Sequence, residues 1–165
     1  MLKGFRNKIF DESLEEIGTE STRILGELPN AQHISIEFKS ERSTAAGTIR
    51  NEIKPITYLH GEERPLASSV SGGQFTSVEL AVDLAVSSVI SRRLGCQLNW
   101  LILDESFAGH DQITKEACLT LLRQYASDKL VLIVDHSSEF MELFTQEIIV
   151  NLEDKKSSIE VPGAP

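Results

Sequence analysis

The sequence predicts an α/β fold in which a mainly parallel sheet is flanked by helices. Two strongly apolar stretches, Leu98–Leu103 and Leu130–Val134, have the length and composition of strands that are buried on both faces. Each follows a segment with the apolar spacing of a helix, Gln74–Leu94 and Ile113–Tyr125 respectively. The first of these helices is apolar on most sides, which predicts burial nearly all round. Because strands that alternate with helices form parallel sheets, the four segments indicate a parallel core.

An amphipathic helix is expected at the N-terminus, from Leu2 to Leu28. Its apolar residues recur mostly at spacings that fit one face of a helix, and Pro29–Asn30 ends the pattern. Both a surface helix packed on its own domain and the end of a coiled coil fit this spacing.

A small antiparallel β region is expected between the N-terminal helix and the parallel core. His33–Phe38 alternates apolar and polar residues, as a half-buried strand does. Ile53–Leu59 is a second strand, and Pro55 restricts it to an edge or a bulge. The polar stretch Lys39–Arg50 between them predicts a turn or a mobile loop, and His60–Glu63 predicts a second turn.

The C-terminal part is expected to hold a short helix, Glu139–Phe144, and two closing strands, Gln146–Leu152 and Ser158–Val161. The whole chain then divides into a helix, a β-rich connecting region, an α/β lobe and a disordered tail, at residues 1–30, 31–70, 71–161 and 162–165.

The composition excludes some classes of protein. With 165 residues and a net charge of −9, the chain lacks the basic surplus of a domain that grips DNA across a broad face. Contact with nucleic acid is therefore expected to be local or made through a partner. No apolar run approaches the roughly 20 residues of a membrane span, and no secretory signal is visible, so a cytoplasmic location without membrane contact is expected. Cys96 and Cys118 are expected to be buried thiols.

The first candidate site is Ser71-Gly72-Gly73-Gln74, directly before the long apolar helix. Two glycines allow backbone N–H groups to approach a phosphate, and the start of a helix carries partial positive charge. Ser71 can cap the helix or donate its hydroxyl to an oxyanion. A plain turn would have the same sequence, so this segment by itself leaves both interpretations open.

The second and third candidates follow the two apolar strands. Asp104 and Glu105 end the first strand, where open α/β sheets bind ligands, and they could hold Mg²⁺ and activate a water. His136 follows the second strand and could donate to a phosphate oxygen. If the strands are parallel, all three lie at one edge of the sheet. Solvated acids and a structural histidine are the alternatives.

In this order, the three groups resemble the C-terminal lobe of ABC-type ATPase heads, which are P-loop NTPases. Ser71–Gln74 matches the signature loop, Leu101–Glu105 the Walker B strand, Asp111 the D-loop aspartate and His136 the switch histidine. The resemblance runs from about Gly61 to Val161. Gly61–Leu66 and the leading helix resemble the SMC and SbcC DNA-repair branch, in which that helix is the coiled coil returning to the head.

Several positions depart from the family pattern. Val70 replaces a leucine, Gln74 a glutamate, Ser106 a proline, and His110 a leucine, and none of these changes removes a catalytic group. Such drift suits a divergent member, for instance one from a phage recombination-nuclease complex.

The sequence contains no G-x-x-x-x-G-K-[ST] segment, the loop that holds the β- and γ-phosphates. In the SMC and SbcC family this loop lies in an N-terminal lobe. The resemblance therefore implies an excised lobe or a split half that is active as an ATP hydrolase only with a Walker A lobe.

The resemblance also implies ATP and Mg²⁺ as cofactors and assigns the roles. Asp104 helps to hold Mg²⁺, Glu105 orients or deprotonates the attacking water, and His136 contacts the γ-phosphate. Ser71, Gly72, Gly73 and Gln74 serve the nucleotide of an opposing head, and Asp111 couples the two sites.

The implied function is ATP-driven head engagement in DNA double-strand-break repair, recombination or DNA clamping. The implied partners are the N-terminal Walker A lobe, a second copy of the head, a nuclease subunit and DNA, the last mainly through the assembled complex. Two alternatives remain: a non-catalytic ABC-like dimerisation module, and the nucleotide-binding domain of an ABC transporter.

Overall fold

The computed structural model describes residues 2–45, 48–95, 98–127, 129–136, 144 and 146–162. The order of elements is helix α1 (Leu2–Leu25), strands β1 (Ile34–Ala45), β2 (Thr48–Leu59) and β3 (Glu62–Glu63), helices α2 (Leu66–Ser69) and α3 (Gly72–Leu94), strand β4 (Trp100–Asp104), helix α4 (Gln112–Tyr125), and strands β5 (Leu130–Val134), β6 (Ile149–Glu153) and β7 (Lys156–Glu160). None of the described helices is both long and apolar enough to cross a lipid bilayer.

The C-terminal half of α1 packs against α3 and β1, and this contact forms one end of the core. Ile24, Leu25 and Leu28 are completely buried in it. At the far end of α3, Arg93 makes a two-pronged contact with Glu16 of α1, with nitrogen–oxygen distances of 3.1 and 3.0 Å. This ion pair lowers the pKa of Glu16 through the hydrogen bond from Arg93. The predicted N-terminal helix is confirmed. It contacts α3 through the buried apolar residues near its C-terminus and through the ion pair between Glu16 and Arg93.

The turn or loop predicted over Lys39–Arg50 is wrong. β1 and β2 form one long antiparallel hairpin whose register runs from Ile34 opposite Leu59 to Ala45 opposite Thr48. At its base, Ile34 and Ile36 of β1 and Ile56 of β2 are buried, whereas Ile53, farther along β2, is exposed. Alternation of apolar and polar residues marks a strand with one buried face. A strand pair that extends beyond the core is held by backbone hydrogen bonds and has no buried face, so its sequence lacks this alternation.

β4 and β5 form the predicted parallel pair, with Trp100 opposite Leu130 and Asp104 opposite Val134. The prediction that both strands are buried on both faces is wrong. The inner face packs on α3 and α4 through the buried Leu103 and its half-buried neighbours. The outer face exposes a row of large apolar side chains: Trp100, Ile102, Leu130, Leu132 and Val134, between 44% and 72% exposed. No described element of this chain lies over that face, so strands with a fully apolar sequence remain half solvated.

α3 was predicted to be buried nearly all round, but only one side of it is. Val78, Leu80, Ala81, Leu84, Ala85 and Val89 are buried, whereas Phe75 and Ile90 are exposed. The reason is the same as for β4 and β5: the described elements cover one side of the helix.

The last strands, β6 and β7, form an antiparallel hairpin that confirms the two predicted closing strands. Val150 and Leu152 of β6 and Ile159 of β7 are exposed. The predicted helix Glu139–Phe144 lies almost entirely outside the described residues, and Phe144 itself is not helical. Cys118 is fully buried as predicted, and burial raises the pKa of its thiol to about 12; Cys96 lies outside the described residues.

Candidate functional site

The paired acids lie where β4 ends, at the edge of the sheet that β5 shares. Glu105 N donates to the carbonyl oxygen of Val134 at 2.9 Å, which prolongs the strand pairing by one residue. Glu105 then turns the chain with a φ of 51°, a left-handed conformation that a non-glycine residue adopts only at a cost. In a regular strand, Asp104 and Glu105 would point to opposite faces of the sheet. The turn at Glu105 ends this alternation.

His136 lies beside Glu105 at this edge. Its Nε2 atom is 2.7 Å from Oε1 of Glu105, and both side chains are open to solvent, at 79% and 57% exposure. The parallel register of β4 and β5 causes this contact, because it places the residues after Asp104 next to those after Val134. A carboxylate hydrogen-bonded to an imidazole is able to take a proton from a water and to hold a neighbouring anion through the imidazole N–H.

Asp104 is exposed at the end of β4, and among the described residues its carboxylate makes no ion pair. In the described part of the chain, no group of three or more His, Cys, Asp or Glu side chains is placed to hold a metal ion. A single exposed carboxylate fits Mg²⁺, which keeps several waters and binds one or two protein carboxylates together with substrate phosphates.

Ser71 is the N-cap of α3 and forms a capping box with Gln74. The Ser71 hydroxyl accepts from Gln74 N at 3.3 Å, and Gln74 Oε1 accepts from Ser71 N at 2.9 Å. The Gln74 amide nitrogen also donates to the carbonyl oxygen of Asn30 at 3.0 Å. Gln74 therefore fastens the start of α3 to the loop that follows α1, whereas the Ser71 hydroxyl keeps its proton free to donate.

Gly72 and Gly73 differ in their surroundings. A Cβ on Gly72 would meet nothing within 4 Å, so this position is open to the outside. A Cβ on Gly73 would lie 2.5 Å from the carbonyl oxygen of Gly109. Gly73 is therefore needed for packing within the chain, and Gly72 is the glycine that leaves space for a ligand.

The segment between the acids and α4, Ser106–Asp111, packs on the start of α3; we call it the D-loop. Phe107 fills the core beneath it. His110 Nε2 lies 2.9 Å from the carbonyl oxygen of Gly73 and 2.8 Å from the Ser77 hydroxyl. Asp111 is the N-cap of α4 and accepts from Thr114 N at 2.8 Å, and the hydrogen bonds from Thr114 lower the pKa of this carboxyl.

The structure thus brings the predicted residues together in two groups that the D-loop connects. Glu105 and His136 touch, Asp104 precedes them, and the Ser71–Gln74 loop is held to the D-loop through His110. Sequence reasoning noted His110 only as a departure from a family pattern, and it missed Ser77 and Asn30. One signal was available: Ser77 is a polar residue on the apolar side of a helix, where a buried hydroxyl needs a partner.

The chain matches no family model. In sequence it is similar to the SbcC component of nuclease SbcCD from Lactococcus lactis, with 32% identity over 96 residues, 57% of this chain and 9% of that protein. It is also similar to a probable DNA double-strand break repair Rad50 ATPase from Aquifex aeolicus, with 30% identity over 126 residues, 75% of this chain and 12% of that protein. The chain spans about a tenth of the length of these curated relatives.

Solved structures of SMC head domains share the fold. One, from work on ATP-driven dimerization and DNA-stimulated activation of SMC ATPases, aligns with a TM-score of 0.67 at 15% identity, over 93% of this chain and 88% of that chain. An Smc head with a coiled coil and joint from Pyrococcus yayanosii aligns with a TM-score of 0.68 at 14% identity, over 96% of this chain and 29% of that chain.

Proposed function

We propose that this chain, which is the C-terminal lobe of an SMC/SbcC-like ATPase head, supplies the water-activating half of an ATP site. The family is one of DNA-repair and DNA-clamping ATPases. The observation that carries the proposal is the contact between Glu105 and His136 at the carboxyl edge of a parallel strand pair, 2.7 Å apart and exposed to solvent.

Glu105 is the residue that orients or deprotonates the attacking water. Its backbone is left-handed at the end of β4, and one carboxylate oxygen already contacts His136. The second oxygen remains for the water. His136, held by that contact, offers its imidazole to the γ-phosphate and so responds to whether the phosphate is present.

Asp104 is the protein carboxylate for Mg²⁺, bound directly or through water. When bound, the ion neutralises charge on the phosphate oxygens. Waters and the phosphates of the nucleotide would complete its shell, because Mg²⁺ binds one or two protein carboxylates together with substrate phosphates.

The Ser71–Gln74 loop serves a nucleotide held by an opposing head. Ser71 has an unused hydroxyl proton, Gly72 lies in open space, and both are exposed at the start of a 23-residue helix. Backbone N–H groups and the partial positive charge there favour a phosphate. Because ATP would then lie between two heads, its binding joins them and its hydrolysis releases them.

A Walker A lobe is the partner that this proposal requires. The outer face of β4 and β5 is the surface for it, because a row of five large apolar side chains lies there without cover among the described residues. The region boundaries expected from the sequence stay part of the proposal, with residues 71–161 as the lobe that carries the site.

The output of the assembled head is movement of a clamp on DNA, with a nuclease as the associated protein. The name of the Lactococcus lactis relative, a component of nuclease SbcCD, supports the nuclease. The net charge of −9 supports DNA contact through the whole complex rather than through this lobe.

The test is a Glu105→Gln variant of the head reconstituted from this chain and its Walker A lobe. We expect ATP to join the heads as in the wild type, while turnover falls by about a hundredfold or more because the water loses its base. A Glu153→Gln variant, which removes an exposed acid from β6, is the control and should turn over normally. Normal turnover in the Glu105→Gln head would contradict the proposal.

A further inference from the structure

We infer that His110 is a positioning residue: a single N–H on its ring holds the D-loop against the signature loop, so that Asp111 and the Ser71–Gln74 loop meet an opposing head as one rigid unit. This inference rests on the proposed function for its consequence, but the hydrogen-bond arrangement that carries it is independent of that function.

The partners of His110 fix which ring nitrogen carries the proton. Nε2 lies 2.9 Å from the carbonyl oxygen of Gly73, and a carbonyl oxygen can only accept, so Nε2 must be the donor. Ser77 Oγ lies 2.8 Å from the same nitrogen and 3.0 Å from Asn30 Oδ1, to which it donates. The Ser77 oxygen is thus free to accept a share of the imidazole proton. The other ring nitrogen, Nδ1, is buried and has no hydrogen-bond partner among the described residues.

The contact connects three parts of the fold through one side chain. His110 belongs to the D-loop, Gly73 and Ser77 to α3, and Asn30 to the loop after α1. Gln74, in the first turn of α3, donates to the carbonyl of the same Asn30 at 3.0 Å. The close approach of Gly73 to Gly109 leaves no room for the D-loop to slide without breaking these bonds. An apolar side chain at position 110 could fill the same space but could not set this register.

The surroundings of His110 favour a neutral ring, because a charged ring would carry a buried N–H at Nδ1 without an acceptor among the described residues. The side chain is 7% exposed, and burial lowers the pKa of His110. The hydrogen bond to Gly73 and the charge of Asp111 oppose this shift, and the charge of Lys115 of α4 adds to it. The contacts from α3 and from the loop after α1 are uncharged: Gly73, Ser77 and, through Ser77, Asn30. His33 lies farther off, beyond Gln74.

The pH dependence follows from the direction of the shift. The folded-state pKa lies below the ordinary value of about 6.5, so the contact is at full strength above that value. As the pH falls from there through the lowered pKa, the ring gains a proton at Nδ1, where it finds no acceptor. The D-loop contact should therefore weaken on the acid side.

The functional test compares two substitutions in the reconstituted head. His110→Gln keeps a donor that can reach Gly73 but does not titrate, whereas His110→Leu removes the donor. At about pH 7.5 we expect His110→Leu to weaken ATP-dependent head dimerisation about tenfold, on the scale of an unpaired buried carbonyl, and His110→Gln to weaken it much less. As the pH falls through the lowered pKa of His110, the wild type should lose affinity and His110→Gln should not. A His60→Gln variant, which removes an exposed histidine that stacks on His33 and not on His110, controls for histidine loss in general.

A second measurement keeps the inference separate from the proposed function. Long-range ¹H–¹⁵N correlation on the 165-residue chain should show His110 neutral at about pH 7.5, with the proton on Nε2. A proton on Nδ1, or a charged ring, would overturn the inference whether or not the heads dimerise. Wild-type heads that fail to dimerise with ATP would overturn the proposed function. Heads that dimerise equally well with His110→Leu and with the wild type would overturn the inference alone.

Discussion

Gly72 and Gly73 show at the scale of single residues how one short motif serves both folding and ligand access. We expect Gly73→Ala to destabilise the chain by roughly 1–3 kcal/mol, the usual cost of overpacking, because the new Cβ would lie 2.5 Å from the Gly109 carbonyl oxygen. Gly72→Ala is the matched control, since its Cβ would meet nothing within 4 Å. Thermal unfolding of both variants measures the difference. Equal melting temperatures would show that Gly109 does not approach Gly73 so closely.

The residues around the site were predictable to different degrees. Glu105 and His136 follow from a general rule, because parallel strands bring the residues after their carboxyl ends to one edge. His110 could not be placed in the same way. Its role depends on the path of the D-loop back to α3, in which Phe107 is buried in the core and Gly109 lies against Gly73, and no periodic pattern records such a path.

At the scale of elements, Asp111 is the N-cap of α4, and it is also the residue proposed to couple two heads. Its carboxylate caps the helix by accepting from Thr114 N, and this bond lowers its pKa, so the cap persists above the ordinary pKa and is lost as the pH falls through the lowered one. We expect Asp111→Asn to keep the melting temperature, since asparagine also caps helices, and Asp111→Ala to lower it by a few degrees.

Asp111→Asn and Asp111→Ala also distinguish the role of Asp111 in helix capping from its proposed role in coupling two heads. If Asp111 acts across the head interface through its charge, Asp111→Asn should turn over ATP more slowly in the reconstituted head although its fold is intact. Turnover and ATP-dependent dimerisation, measured beside the melting temperature, decide this. Full turnover by Asp111→Asn would leave helix capping as the role of this residue.

The elements also show where sequence periodicity carries information. β4, β5, α3 and α4 lie close to their predicted positions, because each presents an apolar surface to a shared core. Lys39–Arg50 of the β1–β2 hairpin was predicted as a loop because this stretch is polar, and the described side chains at its start, Lys39 and Ser40, are exposed although they pair with Lys54 and Ile53. Burial creates the pattern, so elements outside the core are the ones that it fails to reveal.

At the scale of the whole molecule, the apolar content exceeds what the described chain can bury. The outer face of β4 and β5 and one face of the β6–β7 hairpin both expose large apolar side chains, although the net charge of −9 favours solubility. Strand sequences with no polar alternation are typical of sheets covered on both sides. The sequence of β4 and β5 is therefore that of strands with a second covered face, which agrees with the proposed binding of a Walker A lobe there.

The outer face of β4 and β5 should accordingly be the surface that binds the Walker A lobe. We expect Ile102→Glu, at a position that is 52% exposed, to leave the fold of this chain intact but to weaken lobe binding by more than about a hundredfold, because a carboxylate would be buried without a partner. Val150→Glu places the same charge on the β6–β7 hairpin, at a position that is 66% exposed, and should bind the lobe normally. Sedimentation of each variant mixed with the Walker A lobe measures this. Equal binding by both variants would place the docking surface elsewhere. Loss of binding in Ile102→Glu alone would explain why β4 and β5 are apolar on both faces although one face is exposed in this chain.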